Sequence, residues 1–441
     1  MNFQKTITKL SIVAIFSLGL VACGGGSSSP MANNDDSSDT TIITADTKNT
    51  ALTAYANLAI SNYQDALDDA KKLETAIKNF TDTPTDDRLQ LAKDAWLQSR
   101  ESYGITEIFR LSSGPIDAED GFASTFGANE GQINAWPLDE NMIDYTINRN
   151  NEKTSGNIID TEGLFTPTGT DAKEVNITTI NTQTLAQLNE NGGDANVATG
   201  YHAIEFLLWG QDQDYASFVA DNISHGALTA GQRPLSDYTE DVNKERRKDY
   251  LNATAELMVD DLQIVVDAWT SGGYKDALIG EGDNAIASST ALQNIFAGMG
   301  LFIKSELANE RISVALNTPS EEDEHSCFSD NTHRDIALNY KGFENVLAIF
   351  KTNLSDTLQA SLTTQTDSIT AKVKIINDTA KETRHFDYQI QPNSDDYENI
   401  KDAKNEMRAL GDDIVNVASA YNIDLTSTDV TDDEETSTRD N

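Results

Sequence analysis

The chain has 441 residues, with 32 Lys plus Arg against 72 Asp plus Glu and a formal charge of −40. That balance argues against binding the nucleic-acid backbone, which needs a basic footprint, and against docking on anionic lipid through a polybasic patch. Hydrophobic residues make up 38%, enough for a core in two or three domains. Most of the acidity serves solubility, and the surface also gathers cations.

Residues 1–23 read as a secretory signal. Lys5 and Lys9 give the positive start, and Leu10 to Val21 an apolar run too short for a comfortable membrane span. Leu20-Val21-Ala22-Cys23 resembles a bacterial lipoprotein cleavage box. Lipid on Cys23 then anchors the chain to a membrane without a spanning helix. Gly24 in place of Asp favours the outer membrane for a Gram-negative source. Residues 24–46 are a flexible polar tether, and residues 426–441 read as a disordered acidic tail. Cys327 is left as a single thiol, so the mature chain has no intramolecular disulfide framework.

Helical periodicity starts at about Ala51 and runs to Phe80, with Leu52, Tyr55, Ala59, Tyr63, Ala66, Leu73 and Ile77 on one stripe. Thr83-Pro84-Thr85-Asp86 breaks it and supplies the next cap. A second helix follows from about Asp87 to Leu111. Its inward stripe includes Trp96, Arg100, Tyr103 and Glu107, so Glu107 falls on the apolar side. Gly114-Pro115-Ile116-Asp117 ends it. Asp117 serves either as an N-cap or as a partner of Glu107. Asn134-Ala135-Trp136-Pro137-Leu138-Asp139-Glu140 is a loop before a short helix at Met142–Asn148. Residues 150–178 are irregular, and Thr182 to Leu188 is another short helix.

The next stretch, Gly200-Tyr201-His202-Ala203-Ile204-Glu205-Phe206-Leu207-Leu208-Trp209-Gly210-Gln211-Asp212, is apolar apart from His202 and Glu205. On a helix those two project together. Buried, they need partners: each other's neighbours, a metal ion or a substrate. A structural hydrogen-bonded pair is the plainer reading, since His-x-x-Glu is common by chance.

Long helices are expected at about Asp241–Trp269 and Ser288–Leu316. The inward stripe of the latter runs from Leu292 through Phe302 to Glu306 and Glu310. Those carboxylates either meet Arg311 or a neighbouring helix, or extend the site. The polar cluster from Glu321 to His333 holds His325, His333 and Cys327. It reads as a solvated turn with N-caps, and a Cys-His dyad has little support. Helices at about Asp335–Phe350, Leu354–Thr379 and Asn399–Tyr421 complete an all-α fold. We expect two helical-bundle domains, residues 47–230 carrying the His-x-x-Glu motif and residues 231–425. A loose echo between them suggests an internal duplication.

Taken together, these stretches resemble the imelysin family (imelysin-like, or iron-regulated protein A-like). The carrying residues are the 200–212 stretch, Gly114-Pro115-Ile116-Asp117, the 134–140 loop, Ser305-Glu306-Leu307-Ala308-Asn309-Glu310-Arg311 and the segment from Glu322 to His333. The likeness spans about residues 50 to 425. It implies two helical bundles with the motifs near their interface, and a cell-envelope location. Family members have been described as metallopeptidases or tied to iron uptake. The family's Gly-x-His-x-x-Glu motif falls on Gly200, His202 and Glu205, with Glu107 and Asp117 as further carboxylates.

The leading expectation is a lipoprotein that binds metal through His202, Glu205, Glu107 and Asp117 in iron acquisition, with iron favoured over zinc and an envelope iron-uptake partner. A carboxylate-rich N/O set suits a borderline or hard ion. The first alternative is a metallopeptidase drawing a base or further ligand from Glu205, Glu306, Glu310 or His325, although no His-Glu-x-x-His arrangement is present. The second is a haem- or peptide-binding protein with Tyr201, Trp209 and Trp136 lining the cleft.

Overall fold

The apolar stripe read from Leu52 to Ile77 is buried along its whole length, and the helix that carries it extends further at both ends. In the computed structural model, which describes residues 42–148, 150–211, 230–317, 324–382 and 385–432, helix α1 runs Ala45–Asp82. Thr44 caps it by accepting from the Thr47 amide at 3.2 Å. Helix α2 spans Asp86–Tyr103, capped by Thr85 as the sequence predicts, and tightens into a 3₁₀ turn over Gly104–Phe109. The motif helix α3 covers Gly200–Trp209. Helix α4 is Lys244–Trp269 and α5 is Ser288–Leu301. Helices α6 (Thr332–Lys351), α7 (Asp356–Glu382) and α8 (Tyr397–Ala420) follow. A two-residue antiparallel pair, Leu164–Phe165 with Val175–Asn176, is the strand content of the described residues outside isolated bridges. The fold is all-α.

Helix α1 packs along α2 and α4 and also touches α6. An N-terminal helix therefore lies against helices from both expected halves. The buried side chains form one connected cluster from Ile43 to Leu425. Residues from both expected halves, 47–230 and 231–425, contribute to this cluster.

Three local expectations change. The helix expected over Ser288–Leu316 switches after Leu301 to π-type hydrogen bonding over Phe302–Ser313. A π turn brings residues five apart into line, so Glu306 and Arg311 meet and Glu310 points to solvent. The short helix near Met142 stops at Ile143 because Asp144 turns inward. Part of the acidic tail is docked: Ser427–Val430 forms a 3₁₀ turn, and Val430 packs on Gly300, where an added Cβ would sit 2.5 Å away. The Cys23 signal, residues 24–41 of the tether, His225 and residues 433–441 lie outside the described residues. No described helix is long and apolar enough to cross a membrane.

Asp144 shows how the acidic chain buries charge. It accepts from Arg233 Nη1 at 2.7 Å and from Arg247 Nε and Nη2 at 2.7 and 3.0 Å. Burial alone would raise its carboxyl, but Arg233 and Arg247 hold it below the ordinary range. Arg233 also reaches the Phe206 carbonyl at 3.3 Å through Nε, and Tyr238 Oη donates to the Leu207 carbonyl at 2.7 Å. Two carbonyls of the last turn of α3 thus accept from side chains, and that of Trp209 accepts from the Arg233 amide at 2.6 Å.

Two predictions follow from these buried carboxylates. Asp144→Asn is expected to lower stability by about 2–4 kcal/mol at neutral pH, because it removes the carboxylate that two buried guanidinium groups share and leaves Arg233 with Asp237 and Arg247 with Asp241. The loss should shrink at acid pH, where the wild-type carboxyl also gains a proton, and denaturant unfolding at two pH values reads both. Asp261 is the opposite case. Burial, with Asp260 beside it, pushes its carboxyl up to about 7, and its Oδ2 has no partner. The folded state therefore holds a proton that the unfolded chain has released, and this group's contribution falls as pH rises from about 4 to 7. Asp261→Asn is expected to raise stability at pH 8 by about 1–2 kcal/mol and to change little at pH 4.

Candidate functional site

Helix α3 is fixed at both ends by glycines with left-handed backbone. Gly200 has φ +83°, and a Cβ there would lie 2.3 Å from the Ile133 carbonyl oxygen. Gly210 has φ +77° and ends the helix against Arg233. All ten residues between Gly200 and Trp209 are buried. Trp96 Nε1 donates to the Tyr201 carbonyl at 2.9 Å, and Tyr201 Oη pairs with Ser99 Oγ at 2.7 Å. Tyr201 and Trp209 are thus core aromatics of the α2–α3 contact, with Trp96 against both.

The motif side chains bond to each other. His202 Nδ1 lies 3.0 Å from Glu205 Oε2. Glu205 Oε1 accepts from the Ser329 amide at 2.9 Å and from Ser329 Oγ at 2.6 Å. A second pair of the same kind stands opposite: His325 Nδ1 lies 2.9 Å from Asp335 Oδ2. Asp335 Oδ2 also accepts from Ser326 Oγ, and Asp335 Oδ1 accepts from Arg100 Nε and Nη2 at 3.2 and 2.8 Å. The two imidazole rings meet edge to face with centroids 4.6 Å apart. Trp136 lies across both, at 4.8 Å from His202 and 6.2 Å from His325. It is half-buried and forms the cover of the pair.

In each pair a carboxylate grips Nδ1, which leaves Nε2 as the ring nitrogen for any further partner. This is how metal-binding histidines are commonly oriented. His202 Nε2 is buried and has no hydrogen-bond partner, an arrangement that costs about 1–3 kcal/mol if nothing fills it. Burial pushes His202 well below the ordinary imidazole range, with His325 and Arg100 adding to it. Burial likewise pushes Glu205 well above the usual carboxylate range, against the Ser329 bonds. Asp335 behaves differently: burial would raise it, but Arg100 and His325 hold it well below that range. Burial and Arg311 push His325 down as well. Both rings are neutral at pH 7, and beside ionised Asp335 the His325 proton sits on Nδ1.

The other expected residues lie elsewhere. Glu107 is fully buried and committed to Arg311 and to Asn339 Nδ2, the latter at 3.2 Å. Asp117 Oδ2 accepts from the Leu111 amide at 2.5 Å, so Asp117 closes the turn after the 3₁₀ segment. Glu306 pairs with Arg311 at 3.0 Å and Arg110 at 3.3 Å, and Glu310 is exposed. His202 and Glu205 come together, and His325 joins them. Glu107 and Asp117 do not complete that set, and no group of three or more His, Cys, Asp or Glu able to hold a metal ion occurs among the described residues. The His-x-x-Glu pair fits a cation at one point, the orphaned Nε2 of His202. The four-ligand carboxylate set does not fit, because Glu107 is neutralised by arginine.

Sequence reasoning missed the orienting groups. Ser329 falls in the stretch read as a solvated turn with N-caps, and Asp335 reads as the start of the next helix. The signal available was the unusual density of His325, Ser326, Ser329 and Asp335 near that cap. Arg100 on an apolar stripe was the other sign, since a buried guanidinium requires a buried anion.

The family model for imelysin (peptidase family M75) matches residues 59–414. No curated protein matches the sequence. Among solved structures, a protein described as an iron-regulated protein A precursor from Parabacteroides distasonis ATCC 8503 superposes with a TM-score of 0.58 at 15% identity, covering 86% of this chain and 96% of that one. An imelysin-like protein from Psychrobacter arcticum 273-4 gives 0.56 at 15% identity, covering 87% and 98%. These two likenesses concern the fold, and the family match spans most of the sequence. The chain belongs to the imelysin family.

Proposed function

We propose that this imelysin-family chain takes up a metal cation as cargo between His202 and His325, with iron favoured, in iron acquisition at the cell envelope. The observation that carries the reading is the buried, unpartnered Nε2 of His202, on a ring whose centroid lies 4.6 Å from that of a second carboxylate-held imidazole. Imidazole nitrogen suits ferrous iron and zinc alike. The fold shared with a protein described as iron-regulated supports iron. The lipoprotein-like start of the sequence supports the envelope, with lipid on Cys23 as anchor and an uptake partner receiving the ion.

In this reading Glu205 and Asp335 stand behind the ligands. Each orients its imidazole through Nδ1, and ionised Asp335 supplies negative charge behind the His325 ring. The two rings fill part of a coordination shell, and the ion brings the remaining ligands as water or a chelating group. Trp136 must swing aside for entry, since both rings are buried beneath it.

A peptidase needs three protein ligands, an open position and a free general base. Glu205 is engaged by His202 and Ser329, and Glu306 by two arginines. These commitments favour binding over hydrolysis.

Calorimetric titration of the full chain with ferrous ion, and separately with zinc, tests the proposal. We expect one stoichiometric site, at least a hundredfold weaker in His202→Ala. Glu205→Gln, which removes an orienting carboxylate, is expected to weaken binding about 10–100-fold. Undiminished binding in His202→Ala would overturn the assignment.

A further inference from the structure

The second concentration of buried polar groups lies beside the turn that follows the 3₁₀ segment. Phe109, Arg110 and Leu111 organise it. Tyr63 packs its ring on Phe109 at 5.7 Å. Arg110 reaches Glu130 at 3.4 Å and Glu306 at 3.3 Å. Asp117 holds the Leu111 amide, where the backbone takes φ +61°. Tyr103 comes from the last turn of α2 and feels Glu130, Glu107 and Arg110.

The charges in this cluster do not balance. Arg110 and Arg311 are matched by Glu306 and Glu107. Arg100, which lies 3.8 Å from Glu107, is matched by Asp335. Glu130 shares Arg110 with Glu306, and Asp117 bonds only to a backbone amide. Two negative charges are therefore left over. The same two residues keep free oxygens: Glu130 Oε1 and Asp117 Oδ1 are buried and have no partner. Tyr63 Oη and Tyr103 Oη are also unpartnered, on side chains that are fully buried. Both tyrosines feel Glu130 and Arg110, and Tyr63 also feels Asp117. A buried phenol normally finds a hydrogen-bond partner, and four oxygens in one cluster without one point to something between them.

We infer that Asp117, Glu130, Tyr63 and Tyr103 form an all-oxygen site for a hard divalent cation of the calcium, magnesium or manganese class, separate from the imidazole pair. Carboxylate and neutral hydroxyl oxygens are the donors such ions take. A charge of +2 cancels the two surplus negatives. Asp117 and Glu130 are only partly buried, so an ion can enter from their side. Asp117, expected from the sequence to join His202, then belongs to a different centre of different chemistry.

Terbium(III) is the probe, because its emission is sensitised by nearby tyrosine and it replaces hard divalent cations. The full chain is titrated with terbium, and manganese or calcium is then added in competition. We expect a saturable emission displaced by the divalent ion. Asp117→Asn with Glu130→Gln should weaken terbium at least tenfold, and His202→Ala should leave it unchanged. Tyr63→Phe with Tyr103→Phe, which keeps the carboxylates and most of the packing, should dim the emission. It serves as the second variant if the first does not fold. Equal titration of wild type and the carboxyl variant, undimmed emission in the tyrosine variant, or absence of any saturable emission would overturn the site. Loss of emission in His202→Ala would overturn it too, by placing the ion at the imidazoles. Ferrous binding in the carboxyl variant reports on the imidazole pair independently.

Discussion

Three segments of the chain meet on one buried carboxylate. Asp335, at the start of α6, takes two hydrogen bonds from Arg100 on α2 and one each from His325 and Ser326 in the preceding loop. Removing one partner from such a buried set typically costs about 3–5 kcal/mol. The arrangement therefore persists only if all its members are in place. It fixes the His325 ring, and the His325 ring in turn faces His202. Without Arg100, burial would push the Asp335 carboxyl up toward its neutral form, and the His325 proton would lose its charged acceptor. The geometry of the imidazole pair thus depends on a charge balance set one residue further back.

The same economy governs the ground beyond it. Arg311 is bonded to both Glu107 and Glu306. The π-helical stretch makes this possible by aligning residues five apart. Two chemically different environments result, one of nitrogen donors backed by carboxylates and one of oxygen donors with surplus negative charge. A chain with formal charge −40 can build both only by spending its few arginines inside. Arg100, Arg233, Arg247 and Arg311 are all buried.

Much of the fold was legible because apolar periodicity is a local property. The stripe of α1, the cap at Thr85, the long α4 and the helix ends near Gly210 and Trp269 all appear in the sequence. That α1 packs on helices from both halves was not readable, because periodicity does not say what a face packs against. Glu310 shared a stripe with Glu306 only under α-helical spacing, and the π stretch broke that register. At the site, the His202–Glu205 pair was readable from its spacing on an apolar helix. Asp335 and Ser329 were not, because their roles come from contacts more than a hundred residues away in sequence, with Arg100 and Glu205. Glu107 stood out as a charge on an apolar stripe, while Asp117 read as either an N-cap or a partner of Glu107. What they pair with, an arginine and a backbone amide, depends on three-dimensional packing.

The central claim is that imidazole nitrogen, and not carboxylate oxygen, contacts the cargo ion. X-ray absorption at the iron edge on the full chain loaded with one equivalent of ferrous ion tests it most directly. The account predicts outer-shell scattering from two imidazole rings, lost when His202 and His325 are both replaced by alanine. A first shell of oxygen alone, unchanged by those replacements, would contradict it.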